Sequence, residues 1–343
     1  MRYRFPALCC TALALMMAIA AIAPTSAAAQ TRPAAASAPA ATKAWTPVKT
    51  AWGDPDLQGI YTSDDYIGLG LQRNPQYGNR LYFTEEEMKQ RESQIATQAA
   101  ADLVEESVGG RVGTGPPSHW GERARRSPTQ TSLIVEPEDG RLPALTPEAQ
   151  LLPLPIGAND NDPNADSWEA FTYYIRCISR GLAGSILPVI YGNGTEIVQA
   201  PGYVILLQEM VHEARVIPLD NSPHVGSNIR SYMGDSRGHW EGNTLVVDTT
   251  NFLGRRTGLI GNGGGTPFSE DLHIVERFTR ADKDTINYEL SINDPKTYTK
   301  PIRIIFPIRQ EPGYQNFEYA CHEGNYGMMN QLSGARALEK AKN

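Results

Sequence analysis

The sequence has little cysteine, four residues in 343, which excludes a cysteine-rich metal or disulfide scaffold. It has no basic surplus either: 31 Lys and Arg stand against 38 Asp and Glu, a formal net charge of −7. Nucleic acids and anionic membranes select a basic face, so neither is an expected partner. Past the N-terminal region no run is apolar enough to span a bilayer. No internal repeat marks a propeller. The Gly-rich run 261–265 lacks the Lys-Ser/Thr of a phosphate-binding loop, and no nicotinamide or flavin fingerprint occurs, so no cofactor is expected. The six histidines, at 119, 212, 224, 239, 273 and 322, show no paired metal-ligand spacing, and no metal is assigned.

What is present begins with an export signal. Arg2 and Arg4 precede an apolar stretch, 7–23, and Ala27-Ala28-Ala29 forms a small-residue cleavage site before Gln30. Cys9 and Cys10 open the apolar stretch instead of following it, which speaks against a lipoprotein. Cleavage after residue 29 removes two of the 31 basic residues and no acid, leaving 29 against 38, a net charge of −9. The expected address is the periplasm or the medium, with no integral membrane segment after cleavage. Of the four cysteines, Cys177 and Cys321 survive, and an isolated pair in an oxidising compartment is expected to bridge.

Residues 30–44, rich in Ala, Pro, Ser and Thr, read as a disordered linker. The rest, 45–343, reads as one β-rich domain with a mixed N-terminal segment, 45–130. Thr84 and Glu87 form a capping box that opens a helix over 84–106. Residues 108–130 read as an exposed loop. Strands are expected at 131–136, 171–177, 195–200, 203–209, 212–219, 238–241, 244–250, 271–280, 285–293, 303–308 and 316–320, with a short terminal helix at 332–340. The clearest alternation sets Ile286, Tyr288, Leu290 and Ile292 against Thr285, Asn287, Glu289 and Ser291. A meander this long must manage its edges. The expected fold is therefore mainly β: an antiparallel meander closing as a lipocalin-like barrel or bent sandwich, with one N-terminal helix and a short C-terminal one.

Gly234-Asp235-Ser236-Arg237-Gly238 has the letters of a nucleophile elbow, but a hairpin follows it where that motif needs a helix, so a tight strand connection is the preferred reading. His212-Glu213 lacks the second His of the zinc-protease helix. The better signal is polar residues inside strands. An apolar inner face shared by Leu272, Ile274 and Phe278 carries Glu276 inward, where a carboxylate needs a partner. Arg215 and His212 lie on another strand of the meander, and Asp248 interrupts an apolar one. The expected acid/base set is His212 or His273 as base, Glu276 or Asp248 as acid or orienting partner, and Arg215 to stabilise an anion, all turned into the barrel. His322 joins if Cys177 and Cys321 bridge. Trp240, Tyr232 and Tyr319, beside Gly-rich turns, are expected to bind substrate.

Five segments, Arg176-Cys177-Ile178-Ser179-Arg180-Gly181, Gln199-Ala200-Pro201-Gly202-Tyr203, His212-Glu213-Ala214-Arg215, Gly234 to Gly242 and Tyr319 to Gly327, together resemble a largely uncharacterised family of secreted bacterial proteins. The resemblance covers about residues 50–340; it implies a recurrent setting for Cys177 and Cys321 and brings no activity with it. The residues themselves point to an exported enzyme that acts on a small organic or sugar-derived molecule by cofactor-independent acid/base chemistry, as a lyase, isomerase or hydrolase. The alternative is a lipocalin-like periplasmic carrier.

Overall fold

The segment with the clearest alternation lies at the heart of the sheet. In a computed structural model, residues 45–102, 121–152, 165, 167–254, 259, 266–311 and 313–342 are described. The expected signal, the linker, residues 103–106 of the expected helix and the Gly-rich run 261–265 lie outside them.

Ten strands form one antiparallel sheet: β1 Gly59–Thr62, β2 Ile134–Glu136, β3 Thr195–Ala200, β4 Tyr203–Gln208, β5 Ala214–Pro218, β6 Asp235–Glu241, β7 Thr244–Thr250, β8 His273–Arg280, β9 Thr285–Asn293 and β10 Ile302–Gln310. Their order is β5-β4-β3-β1-β10-β9-β8-β7-β6, and β2 pairs with the other end of β10. The sheet thus has two wings of hairpins, β3–β5 and β6–β10, and β1 joins them by pairing with both β3 and β10. The helices are α1 Glu85–Asp102, α2 Pro147–Gln150, α3 Leu182–Ile186 and α4 Tyr326–Lys342.

The sheet curls into a nearly closed barrel. The seam lies between β5 and β6, which meet by side chains without ladder hydrogen bonds. Gly238 on β6 permits this approach: a Cβ there would sit 2.8 Å from Ile217 and 2.6 Å from Leu219. Inside, Phe278, Tyr288 and Phe306 form a cross-strand row with ring centroids 5.0 and 5.4 Å apart. Tyr61, Ile197, Leu206 and Ile217 fill the wall opposite, each fully buried. The barrel interior is therefore a packed core, and the cavities described below lie outside it.

Arg215 on β5 and Glu276 on β8 face each other across that interior. Two hydrogen bonds join them, Nη1 to Oε2 at 2.5 Å and Nη2 to Oε1 at 3.0 Å, and the Tyr288 hydroxyl donates to Oε1 at 3.0 Å. The expectation that Glu276 and Arg215 turn inward is met, and they meet each other. Burial pulls the Arg215 guanidinium down, but the Glu276 charge and hydrogen bonds outweigh that and hold it above its ordinary value. Burial, with the Glu276 charge beside it, pushes the Tyr288 phenol well up.

Several segments differ from their expected form. Residues 171–177 make successive turns, with Arg176 N donating to Thr172 O and Cys177 N to Tyr174 O, so the aromatic run is no strand. Residues 316–320 are irregular, held by side-chain bonds and by the disulfide instead of a ladder. The strand expected from residue 212 starts at Ala214, because Val211 and His212 take left-handed backbone angles, φ 63° and 41°. β6 starts at Asp235 and absorbs the elbow-like motif, and the terminal helix begins earlier, at Tyr326. The capping box is as expected: Glu87 N donates to Thr84 Oγ1 and Thr84 N to a Glu87 oxygen. Cys177 and Cys321 are bridged, 144 residues apart, with Cα atoms 5.6 Å apart.

Removing one member of a buried ion pair strands the other charge. Glu276→Ala is expected to lower the unfolding free energy in urea by about 3–5 kcal/mol, while the double variant Arg215→Met, Glu276→Leu recovers most of that loss. Equal losses in the two proteins would show that the pair is not the source.

Candidate functional site

The polar residues singled out in the sequence fall into three places. The first is the Arg215–Glu276–Tyr288 set. Both carboxylate oxygens are hydrogen-bonded and Glu276 is 1% exposed, so a substrate has no access to the carboxylate.

The second lies on the outer face of β6, β7 and β8. His273 and Asp248 are here, opposite in strand parity to the inward Glu276. This corrects the expectation that they point into the barrel. His273 Nε2 bonds Asp248 Oδ2 at 2.7 Å, and Asp248 Oδ1 bonds His224 Nε2 at 2.9 Å. His224 Nδ1 bonds Asp235 Oδ2 at 2.9 Å, and Arg237 Nη2 lies 3.2 Å from Asp235 Oδ1. Burial pulls the Asp248 carboxyl upward, but the bonds from the two imidazoles outweigh it and hold it below its usual range. The bond to Asp248 raises the His273 imidazole. A carboxylate only accepts, so His224 satisfies both neighbours only when both its nitrogens carry protons. The row pins the 220–234 loop to the sheet. Ser236, in the elbow-like motif, is buried and bonded to Thr249 Oγ1 at 2.9 Å. Among the described residues no imidazole is bonded to it, so none activates it as a nucleophile.

The third place is a cleft beside the β4–β5 turn, a cavity of about 570 Å3 lined by Glu209, His212, Asn316, Tyr319 and His322 among others. One wall is the turn and the other is the 316–323 segment, which the Cys177–Cys321 bridge holds down. His212 and His322 come within 6.4 Å, ring centroid to centroid. His212 Nδ1 bonds the Tyr319 carbonyl at 3.2 Å. A carbonyl cannot donate, so Nδ1 is the donor and Nε2 is left without a partner in the protein. Val211 is a β-branched residue in the left-handed region, a costly conformation that the surrounding packing must hold.

Glu209 forms the floor. Its Oε2 accepts from the Tyr314 hydroxyl at 2.5 Å and from Gly194 N at 3.2 Å, and its Oε1 from Phe317 N at 3.1 Å. A Cβ on Gly194 would sit 2.6 Å from Glu209 Oε2 and 2.4 Å from Asn316 Oδ1, so any side chain there would displace those two groups. Asn316 is unusual: both its side-chain Oδ1 and Nδ2 are buried without a hydrogen-bond partner. Unsatisfied buried polar groups are rare and costly.

Of the expected binding aromatics, Tyr319 lines this cleft. Tyr232 instead packs edge-on against Tyr173, with centroids 4.3 Å apart, and Trp240 packs against the barrel core. Glu209, Asn316, Tyr314 and His224 were missed in the sequence. Glu209 and Tyr314 are 105 residues apart and carry no local motif.

Tyr314 also borders a second cavity, of about 580 Å3, that contains Asp64 and Glu122. Asn193 Nδ2 bridges Asp64 Oδ1 at 2.8 Å and Glu122 Oε2 at 2.9 Å. Burial, with the Glu122 charge beside it, pushes the Asp64 carboxyl up to about 8. Among the described residues, no three His, Cys, Asp or Glu converge as metal ligands. A comparison of the chain with known protein families, curated proteins and solved structures finds no match.

The Asp64 shift sets a sign for stability. The unfolded carboxyl ionises near its model value of 3.8, while the folded one stays protonated to about 8. The group thus costs nothing below the lower value, and stability falls as pH rises between the two. Asp64→Asn is expected to remove that decline, so the gap in melting temperature between variant and wild type widens from pH 4 to pH 8. A gap that stays constant over that range would contradict the assignment.

Proposed function

We propose that the protein is an exported enzyme acting on a small organic or sugar-derived molecule by cofactor-independent general acid/base chemistry, of lyase, isomerase or hydrolase type. The reaction is placed in the cleft of His212 and His322. One observation carries this reading: His212 Nδ1 is bonded to a backbone carbonyl, which leaves Nε2 for a cavity that a second imidazole also lines.

In the reaction, His212 Nε2 takes a proton from carbon or from water. His322, in its protonated form, returns one to the departing or rearranging oxygen. The unpaired Asn316 amide offers one donor and one acceptor for orienting a hydroxylated substrate. Glu209 has both oxygens committed to Tyr314, Gly194 and Phe317, so it positions the cleft wall and transfers no proton. A carrier reading requires an apolar hollow, and the packed barrel interior gives it no support. Export rests on the N-terminal signal pattern; the Cys177–Cys321 bridge is compatible with it.

His212→Ala is expected to lower kcat by about 100- to 10,000-fold on the correct substrate. The assay is turnover on a panel of lactones, esters, hydroxy acids and keto sugars. His322→Ala is expected to lower kcat as well, because it removes the acid. Unchanged turnover in His212→Ala on a substrate the wild type converts would sink the assignment.

A further inference from the structure

Two arginines are among the largest fully buried side chains, and they differ in one respect. Arg73 leaves Nε and Nη2 unpaired but keeps one partner, its Nη1 donating to Glu138 O at 2.5 Å, with the Asp139 and Glu138 charges nearby. Arg180, 2% exposed, has none: Nε, Nη1 and Nη2 are all buried without a hydrogen bond. The charged form is disfavoured by burial, and the groups that reach it are three phenols, Tyr174, Tyr319 and Tyr191. Its guanidinium carbon lies 5.9 Å from the Tyr174 ring centroid. A buried cation without a carboxylate costs several kcal/mol.

Two of these tyrosines border open cavities. Tyr174 and Tyr319, whose hydroxyls are 3.4 Å apart, line a cavity of about 420 Å3, and Tyr319 also lines the His212 cleft. Tyr191 bonds into the same hydroxyl set. Burial pushes the Tyr174 and Tyr319 phenols up, so they stay protonated and can donate. The cluster holds an excess of donors, because a guanidinium has no acceptor at all.

We infer that Tyr174 and Tyr319, backed by the buried Arg180, form a binding site for a single carboxylate group of the ligand. The carboxylate accepts from the phenol hydroxyls on the cavity side, and the guanidinium behind them stabilises its charge through a low-dielectric wall. A single positive charge suits a monoanion. Glu318 and Glu323 line the same cavity and disfavour a phosphate dianion. The adjoining His212 cleft then receives the rest of the molecule. This deepens the reading above by giving its substrate a charge, but its test needs no turnover.

The experiment titrates the intact protein with acetate, butyrate, acetamide and inorganic phosphate, by calorimetry and by thermal unfolding. Acetate and butyrate are expected to bind saturably and raise the melting temperature, and acetamide, the neutral isostere, is not. Tyr174→Phe and Tyr319→Phe keep the rings and are expected to weaken acetate about tenfold or more. Arg180→Met is expected to abolish binding without lowering the melting temperature of the ligand-free protein, because it removes an unpaired buried charge. Four results overturn the inference: no saturable carboxylate binding to the wild type, acetamide binding as well as acetate, phosphate binding more tightly, or full affinity in the two Phe variants. If Arg180→Met fails to fold, the arginine is structural and the Phe variants alone decide the site. An inert protein that still binds carboxylate leaves this inference standing and removes only the catalytic reading.

Discussion

The ion pair between Arg215 and Glu276 spans the interior of the nearly closed barrel. The sheet's two edge strands, β5 and β6, share no ladder hydrogen bonds, and curling the sheet brings them together only through side chains. Arg215 reaches from the edge strand β5 across the interior to β8, so it ties one wing of the sheet to the other. Tyr288 supplies a further hydrogen bond to the carboxylate, which offsets part of the desolvation of the two charges. A slip of one residue in either strand would turn its charge to the outside. The pair therefore fixes register as much as it contributes stability.

That constraint reaches the cleft. Arg215 sits three residues after His212, so anchoring β5 inside the barrel also anchors the start of the turn that carries the imidazole. The turn has no freedom to relax: Val211 is buried in a left-handed conformation, and Gln208 N donates to Glu213 O across its base. On the other side the Cys177–Cys321 bridge holds the 316–323 segment. A rigid barrel and a covalent staple thus set the two walls of one cleft and hold His212 near His322.

Period-two alternation made the central strands legible. The same rule already separated Glu276 from His273, since they are an odd number of residues apart and must face opposite sides of β8. β1 was invisible because its four residues gain their identity from partners more than 130 residues away in β3 and about 250 away in β10. The aromatic runs 171–177 and 316–320 have the composition of strands but no edge to pair with; side-chain bonds and the disulfide hold them instead. Arg215, Glu276, His212 and Tyr319 were recoverable as polar or aromatic positions. Their grouping was not, because the interior pair and the cleft are assembled by the closure of the sheet and by the disulfide.

Buried unpaired polar atoms occur in several parts of this chain, Arg73, Arg237 and Trp240 among them, but around Tyr319 they include a whole guanidinium and a whole amide. Glu276 accepts from Arg215 and Tyr288, Asp248 from two imidazoles, and Glu209 from a phenol and two backbone amides. These groups are spent, and they hold strands and turns in place. Asn316 and Arg180 are buried and unspent. Both lie around Tyr319, which touches the His212 cleft, the neighbouring cavity and the buried guanidinium. Folding alone gives no reason to bury an amide and a cation without partners, since each subtracts from stability. A ligand that brings acceptors to the guanidinium's side and polar groups to the amide would supply what the fold withholds. The deficit is therefore the strongest physical argument that this end of the barrel, and not its packed interior, is where the protein works.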